Sequence, residues 1–517
     1  MSEPKSYGRR LVKGSIIVFT SFIGAEIVGM FLRIFLSRSL EPGEYGLFYA
    51  TFSLISFFAL FRDLGLGAAL VKYISEFAVH KKFADIKSSI TTVLLVLTAF
   101  GFVVSAVLFI FSHQIALAFF GKNRLYYQQA VSSLMILSAW FFVMVFYNLM
   151  QQAFQGFQNM LAYSSINFFN ILAVLLLAVL FVSIFGIGVG GVALAYLIAA
   201  VVIGILSMIF FIRGYPQVFR EKASVSKPLL KKLFVFALPL FLGGLGGLII
   251  SYTDTIFITL FRTLPEVGFF QAAQPTAKIL WYLPSTLTVV LYPMISELWA
   301  KREKKLLGGV LRFLTKFSFI LIIPFAFILI AFPEVVINLL FGPKYLEAAT
   351  ALQILSVAAI IYAPYEILAY AVAGIGKPSI ITKVVLSIAF FNLVGNLALI
   401  PRYGINGAAT ATLISFTIGL TLMFYYTRKF IRYTIPYSPL LKTAVGGVLT
   451  LLLIFGLKFV LVLPTWPKAF AVMIPSLLFY GIWILATKTI TRDELVLIRK
   501  IVPMPEWLVK TMKRIIR

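Results

Sequence analysis

The chain has no cysteine, only two histidines, and 18 acidic residues among 517. Without cysteine there is no disulfide, no thiolate nucleophile and no Cys-based metal site. His80 and His113 lie far apart, each near a helix end, so neither seeds a metal cluster. No cofactor and no metal are expected. The run Gly374-Ile375-Gly376-Lys377-Pro378 lacks the first glycine and the Ser/Thr of a phosphate-binding loop, so ATP hydrolysis is not expected. Loops are short, which leaves no room for an appended soluble domain carrying catalysis. No cleavable signal peptide is evident. The first apolar stretch is too long and lacks a small-residue cleavage site, and it reads as a retained first span.

Charge is also scarce, at 12% of residues, whereas 61% are hydrophobic and the mean hydropathy is +1.00. That balance is far outside the soluble range. Fourteen apolar stretches carry it, at 13–37, 45–68, 88–112, 126–152, 160–185, 189–212, 232–261, 268–293, 308–332, 347–372, 379–400, 405–427, 441–463 and 467–488. About 20 apolar residues suffice to cross the hydrocarbon core. Backbone polar groups must be satisfied internally in lipid, so these runs are expected to be helices. The alternating strands of about 10 residues that a β-barrel needs are not seen. The expected fold class is an all-α integral membrane protein with about 14 transmembrane helices.

A net charge of +27 would suggest nucleic acid in a soluble protein. Its placement argues against that. With a cytoplasmic N-terminus, the inner loops and flanks hold 34 Lys and Arg, the outer set holds 8, and Arg33, Arg62 and Lys278 lie within spans. Such asymmetry places both termini in the cytoplasm of a multi-pass cell-membrane protein. The basic loops suit anionic lipid head groups, and nucleic acid is not an expected partner.

The first six stretches are echoed by the next six. Glu44-Tyr45-Gly46-Leu47-Phe48 returns as Glu266-Val267-Gly268-Phe269-Phe270, Ile74-Ser75-Glu76 as Ile295-Ser296-Glu297, and Phe120-Gly121 as Phe341-Gly342. Ser165-Ile166 with Phe168-Phe169-Asn170 returns as Ser387-Ile388 with Phe390-Phe391-Asn392. The offset stays at 221 or 222 throughout. Six is an even number, so both halves start from the same side and form a parallel repeat, as many secondary transporters do. The expected organisation is a six-helix lobe at 1–213, a basic cytoplasmic linker at 214–231, a second six-helix lobe at 232–430, two additional helices at 431–489, and a basic cytoplasmic tail at 490–517. Trp507 and Leu508 interleave with Lys510, Lys513 and Arg514, a pattern for a surface-lying helix or a solvated tail.

Twelve repeated helices plus two resemble a known group. Arg9-Arg10-Leu11-Val12-Lys13-Gly14-Ser15 leads into the first helix, and Leu40-Glu41-Pro42-Gly43-Glu44-Tyr45-Gly46-Leu47-Phe48 follows at the first outer turn. Asp63-Leu64-Gly65-Leu66 comes near the inner end of segment 2. Gly404-Ile405-Asn406-Gly407-Ala408-Ala409 opens segment 12, and its variant Gly188-Val189-Gly190-Gly191-Val192-Ala193 opens segment 6. Over residues 8–488 the chain resembles the polysaccharide-exporter (O-antigen flippase) branch of the MOP flippase superfamily, which also holds MATE exporters and lipid II flippases. The resemblance implies two lobes around a central cavity, rocking to open it to each side in turn. It also implies a lipid-linked oligosaccharide, on a polyprenyl phosphate or pyrophosphate carrier, as the cargo moved to the outer leaflet. A monomer is expected.

Ionisable groups deep in a bilayer usually face a cavity or a partner. Arg33, Arg62 and Lys278 suit the phosphate of such a substrate, Arg as a planar fork and Lys as a point charge. Internal pairing, for example Arg33 with Asp254, would also account for them. Glu26, Asp254 and Glu366 are candidates for Na⁺ or proton coupling, or for salt bridges between helices. Gln271 and Gln274, one turn apart, suit sugar hydroxyls or equally a polar helix interface, and so do Gln151, Gln152 and Gln155. Asn170 and Asn392 suit interhelical hydrogen bonds. Trp140, Tyr147, Trp281 and Tyr282 read as lipid-facing or interfacial aromatics, with sugar stacking as the alternative. Gly243, Gly244, Gly246 and Gly247 with Pro239 soften segment 7, and Pro275, Pro284 and Pro293 punctuate segment 8. The main reading is a lipid-linked oligosaccharide flippase and not an enzyme. The alternative is a cation-coupled multidrug exporter of the MATE type. A membrane glycosyltransferase would want acidic metal-binding pairs and a large outer domain, and neither appears.

Overall fold

The computed structural model describes residues 3–121, 124–431, 433–460, 465–491 and 494. Lys122, Asn123 and the basic tail from Leu495 onward, including Trp507 and Leu508, lie outside the described residues.

Every regular element among the described residues is helical. In chain order they are α1 (Glu3–Ser39), α2 (Pro42–Phe57), α3 (Ala59–Asp63), α4 (Leu66–Val79), α5 (Phe83–Ile110), α6 (Ser112–Phe120), α7 (Tyr127–Gly156), α8 (Met160–Ala178), α9 (Val189–Gly214), α10 (Pro216–Arg220), α11 (Lys227–Phe261), α12 (Leu264–Lys278), α13 (Tyr282–Ala300), α14 (Lys304–Ala331), α15 (Pro333–Leu340), α16 (Ala348–Gly374), α17 (Pro378–Phe430), α18 (Tyr437–Val460) and α19 (Thr465–Ala486). Ten helices are long and apolar enough to cross a membrane, or up to eleven if α2 and the α3–α4 run, bent by 43°, form one span. This is fewer than the fourteen apolar stretches, for local reasons. The 53-residue α17 carries two of them, joined at Gly404. The 268–293 stretch is split between α12 and α13 by a 3₁₀ turn at Ile279–Trp281. The last stretch contributes only a shorter apolar helix, Ala471–Ala486.

The helices gather into two compact units, residues 1–271 with 396–405 and residues 272–395 with 406–517. In the first, α7 packs against α9, α5, α4 and α2, α1 lies along α8, and α11 packs on α2 and α4. Its core joins Leu70, Ile74, Val93, Val145, Phe154 and Phe211. In the second, α16 packs on α14 and α13, and α18 on α14 and α19. Ile322, Ile323, Phe327, Ala359 and Tyr480 form a core there.

Helix bounds recur along the chain. Phe83–Ile110 becomes Lys304–Ala331, 221 residues on at both ends (83 to 304, 110 to 331). Ser112 and Tyr127 open helices as Pro333 and Ala348 do, again 221 on (112 to 333, 127 to 348). Details inside each unit recur too. Ser75 Oγ donates to the Gly156 carbonyl at 2.7 Å in the first, and Ser296 Oγ to the Gly374 carbonyl at 3.0 Å in the second. Lys81 and Arg302 both have positive φ, 53° and 60°, where one span turns back into the next. Gly188 (φ 63°, ψ −137°) and Gly404 (φ 56°, ψ −135°) open their helices in nearly the same conformation. That region is essentially reserved for glycine.

The echoed Glu-x-Gly motif has a physical reason. Glu44 sits at the third position of α2 and accepts from the Glu41 backbone N–H at 3.2 Å, completing a capping box. Glu266, in the first turn of α12, accepts from Thr263 Oγ1 at 3.4 Å and from Arg262 Nε at 3.0 Å. Gly46 and Gly268 face each other where α2 meets α12. A methyl on Gly46 would strike the Leu264 carbonyl, and one on Gly268 the Pro42 carbonyl. The absent side chains let the two backbones touch.

Candidate functional site

Within the first unit, α1, α2, α11 and α12 bring polar groups together inside apolar helices. Leu32 and Leu36 are fully buried on α1, and this fixes the turn of helix that carries Arg33. Its Nη1 donates to Gln271 Oε1 at 3.2 Å, and its guanidinium carbon lies 4.5 Å from the Tyr49 ring centroid. Gln271 Nε2 donates onward to Thr255 Oγ1 at 2.8 Å. Gln271 and Thr255 are buried. The guanidinium therefore rests on an amide oxygen and an aromatic face, with no described carboxylate pairing it.

Arg62 sits where segment 2 is broken. Leu64 (φ 50°) and Gly65 (φ 72°) adopt left-handed conformations between α3 and α4. A Cβ on Gly65 would strike the Ala237 carbonyl of α11. Glycine thus permits both the turn and the close helix approach. The Arg62 guanidinium lies 5.3 Å from the Phe141 ring and 5.9 Å from that of Trp140. Its Nε and Nη1 are buried without a hydrogen-bond partner among the described residues. The neighbouring Asp63 carboxylate accepts from Gln152 Nε2 at 3.0 Å. Discontinuous membrane helices with freed polar groups characteristically surround transport sites.

Asp254 is 1% exposed on α11 and accepts from Asn396 Nδ2 of α17 at 2.6 Å. It does not pair with Arg33; the two have different partners. Glu26 is exposed on α1.

In the second unit, Lys278 ends α12 with its ammonium 5.5 Å from the Trp281 ring centroid. Trp281 stacks on Tyr362 at 4.3 Å and 18°. The Tyr362 hydroxyl donates to Glu366 Oε2 at 2.6 Å and Ser285 Oγ to Oε1 at 3.3 Å. Glu366 is thereby held by two hydroxyls and an aromatic stack. Gln274 is buried on α12.

Two expectations change. Trp140 and Tyr147 are buried, not lipid-facing. Trp140 packs between Phe52 and Tyr196, at 5.2 and 6.2 Å, inside the first unit. Lys316, which the sequence did not single out, lies about three turns into α14. It is buried, donates to the Thr489 carbonyl at 3.1 Å and pairs with Glu494. Only its place inside an apolar run hinted at this.

Comparison with known proteins gives this arrangement a family. The polysaccharide biosynthesis protein family matches residues 11–299, and the MatE family matches residues 239–398. An uncharacterized membrane protein of Methanocaldococcus jannaschii is 31% identical over 461 residues, covering 88% of this chain and 91% of that protein. A probable low-salt glycan biosynthesis flippase of Haloferax volcanii is 25% identical over 238 residues, covering 46% of this chain and 50% of that protein. The lipid II flippase MurJ, in an inward closed conformation, superposes with a TM-score of 0.72 over 90% of this chain and 98% of its own, at 15% identity. The fold is therefore that of the MurJ and MATE membrane transporters. The chain belongs to the polysaccharide biosynthesis protein family, whose match spans more than half its length, and it is a multi-pass membrane protein.

Proposed function

We propose that the protein is a flippase that moves a lipid-linked oligosaccharide, on a polyprenyl phosphate or pyrophosphate carrier, from the cytoplasmic to the outer leaflet by alternating access. The observation that carries this reading is the pair of cations in the first unit. Arg62 has two buried nitrogens without a hydrogen bond among the described residues, at a helix break, and Arg33 rests on an amide and a ring. A guanidinium inside a membrane protein is costly unless an anion meets it. A phosphate accepts the planar donor fork of arginine in two parallel hydrogen bonds. The family membership and the Haloferax relative's name point to the same cargo.

In this reading Arg33 and Arg62 hold the anionic head group, Gln271 orients Arg33, and Gln274 contacts sugar hydroxyls. Lys278 is a further substrate-binding cation, assigned from its place in an apolar span. Asp254, Glu26 and Glu366 are proposed ion-coupling groups for Na⁺ or H⁺. Fourteen spans in two repeated six-helix lobes, 1–213 and 232–430, plus two C-terminal helices are proposed, with both termini cytoplasmic. The recurring helix bounds and the paired Gly188 and Gly404 conformations support the repeat. The match of MatE to residues 239–398 keeps a cation-coupled drug exporter as the second reading.

Depletion of the protein followed by analysis of lipid-linked sugars separates the two. Accumulation of the lipid-linked oligosaccharide on the cytoplasmic side supports the flippase. Drug hypersensitivity with unchanged lipid-linked sugars overturns it.

A further inference from the structure

Lys72 and Tyr73 of α4 and Lys231, Lys232, Val235 and Phe236 near the start of α11 line an open, shallow cavity of about 530 Å³. Its walls follow from local sequence. Gly65 lets α11 come against α4 near Ala237, so the residues about two turns further along α4 face the first turns of α11. Ser226 caps α11 by accepting from the Leu229 N–H at 3.4 Å, which starts the helix just ahead of Lys231 and Lys232.

The ammonium groups are held by rings. Lys72 Nζ lies 4.3 Å from the Phe236 centroid and 4.8 Å from that of Tyr73. Lys232 Nζ lies 4.4 Å from the Tyr73 centroid and 5.2 Å from that of Phe77. Each such contact restrains a flexible stem without neutralising its charge. One carboxylate intrudes: Glu76 is 3.8 Å from Lys232. Lys72 and Lys231 have no ion-pair partner among the described residues, so the cavity keeps an excess of positive charge. Beyond it, Val235, Leu238 and Leu242 present an exposed apolar strip along α11, a helix apolar enough to span the membrane. A second basic cavity of about 730 Å³ lies beside Arg428 and Lys429, but Arg428 there already donates to the Tyr437 hydroxyl at 3.3 Å.

We propose that the Lys72–Lys231–Lys232 cavity binds the phosphate of an anionic lipid, with the lipid tail lying along the apolar strip of α11. Lysines lining a pocket between helices at the basic face of a membrane protein have the chemistry for such a head group. The aromatic floor and the adjoining apolar strip select a phosphate carried by a lipid over a free one. The proposal does not rest on the transport reading, because the site would hold a lipid phosphate whether or not that lipid is moved across the membrane.

Native mass spectrometry of the purified full-length protein tests it, with lipid occupancy titrated separately for phosphatidylglycerol, phosphatidylcholine, polyprenyl phosphate and inorganic phosphate. The combined Lys72→Gln, Lys231→Gln, Lys232→Gln variant should bind phosphatidylglycerol or polyprenyl phosphate at least tenfold more weakly than wild type. Arginine at the same three positions should restore binding. Glutamine at the exposed Lys305, Lys377 and Lys383 removes the same charge elsewhere and should change little. Tighter binding of polyprenyl phosphate would mark a site for the cargo's carrier, and tighter binding of phosphatidylglycerol a site for membrane lipid. Equal loss in the two glutamine triples overturns the proposal, as does displacement of lipid by inorganic phosphate at matched concentration.

Discussion

Arg33 on α1 donates to Gln271 on α12, 238 residues away, and Gln271 passes the interaction on to Thr255 on α11. The amide has two ends with opposite roles: its oxygen takes the guanidinium and its nitrogen gives to the hydroxyl. That polarity holds Arg33 in place while leaving it charged.

The first prediction follows from that polarity. Gln271→Glu places a carboxylate against Arg33 and neutralises it. Transport of lipid-linked glycan should fall at least tenfold while thermal stability is kept or raised. Gln271→Leu strands buried hydrogen-bonding groups and should cost about 1–3 kcal/mol of stability. Unfolding curves and transport measured on the same preparations separate these effects. Equal transport in wild type and Gln271→Glu would contradict the role given to Arg33.

Asn396 supplies a hydrogen bond to a carboxylate that is almost fully buried. Asn396→Ala leaves that bond unmade and should lower stability by about 1–3 kcal/mol. Asp254→Asn should keep the fold but make the transport rate insensitive to an imposed Na⁺ or proton gradient. A gradient response equal to that of wild type would remove Asp254 from coupling.

Gly188 and Gly404 share a backbone conformation but differ in surroundings. A Cβ on Gly188 meets nothing within 4 Å, whereas one on Gly404 would run into the Arg262–Glu266 pair. Gly188→Ala should cost only backbone strain, about 1–3 kcal/mol. Gly404→Ala should cost more, because the ion pair must also move. Thermal unfolding of the two single variants checks the order.

Glu494 is the partner of a buried ammonium. Its removal leaves Lys316 with the Thr489 carbonyl, and Glu494→Ala should destabilise the protein by about 3–5 kcal/mol, as breaking one side of a buried pair does. The double variant Lys316→Met, Glu494→Leu should recover much of that loss. A double variant no more stable than Glu494→Ala would show that packing, and not the uncompensated charge, sets the cost.

Much of the fold was legible because a lipid-facing helix must be apolar along its length, and because the repeat kept its register. Arg33, Arg62 and Asp254 stood out because charge is conspicuous in apolar runs. Their partners did not. Asn396 is one neutral amide among many, and its bond to Asp254 spans 142 residues. Lys316 was hidden by its nearness to a basic loop, and its carboxylate lies 178 residues away. The break at Leu64–Gly65 was marked only by one glycine, and the left-handed turn there depends on how closely α11 approaches. Trp140 looked like an interfacial aromatic because amphipathic rings at helix ends and in cores share a composition and differ only in what packs on them.

The central claim is that the half-buried arginines of the first unit, Arg33 and Arg62, hold the phosphate of a lipid-linked glycan during its passage across the membrane. The most direct measurement reconstitutes wild type, Arg33→Gln, Arg62→Gln and the corresponding lysine variants in vesicles carrying a fluorescent polyprenyl-phosphate glycan, and reads the fraction reaching the far leaflet. The account predicts rapid movement with wild type, a loss of at least tenfold in each glutamine variant at unchanged melting temperature, and partial recovery with lysine. Movement at the wild-type rate in both glutamine variants would contradict it.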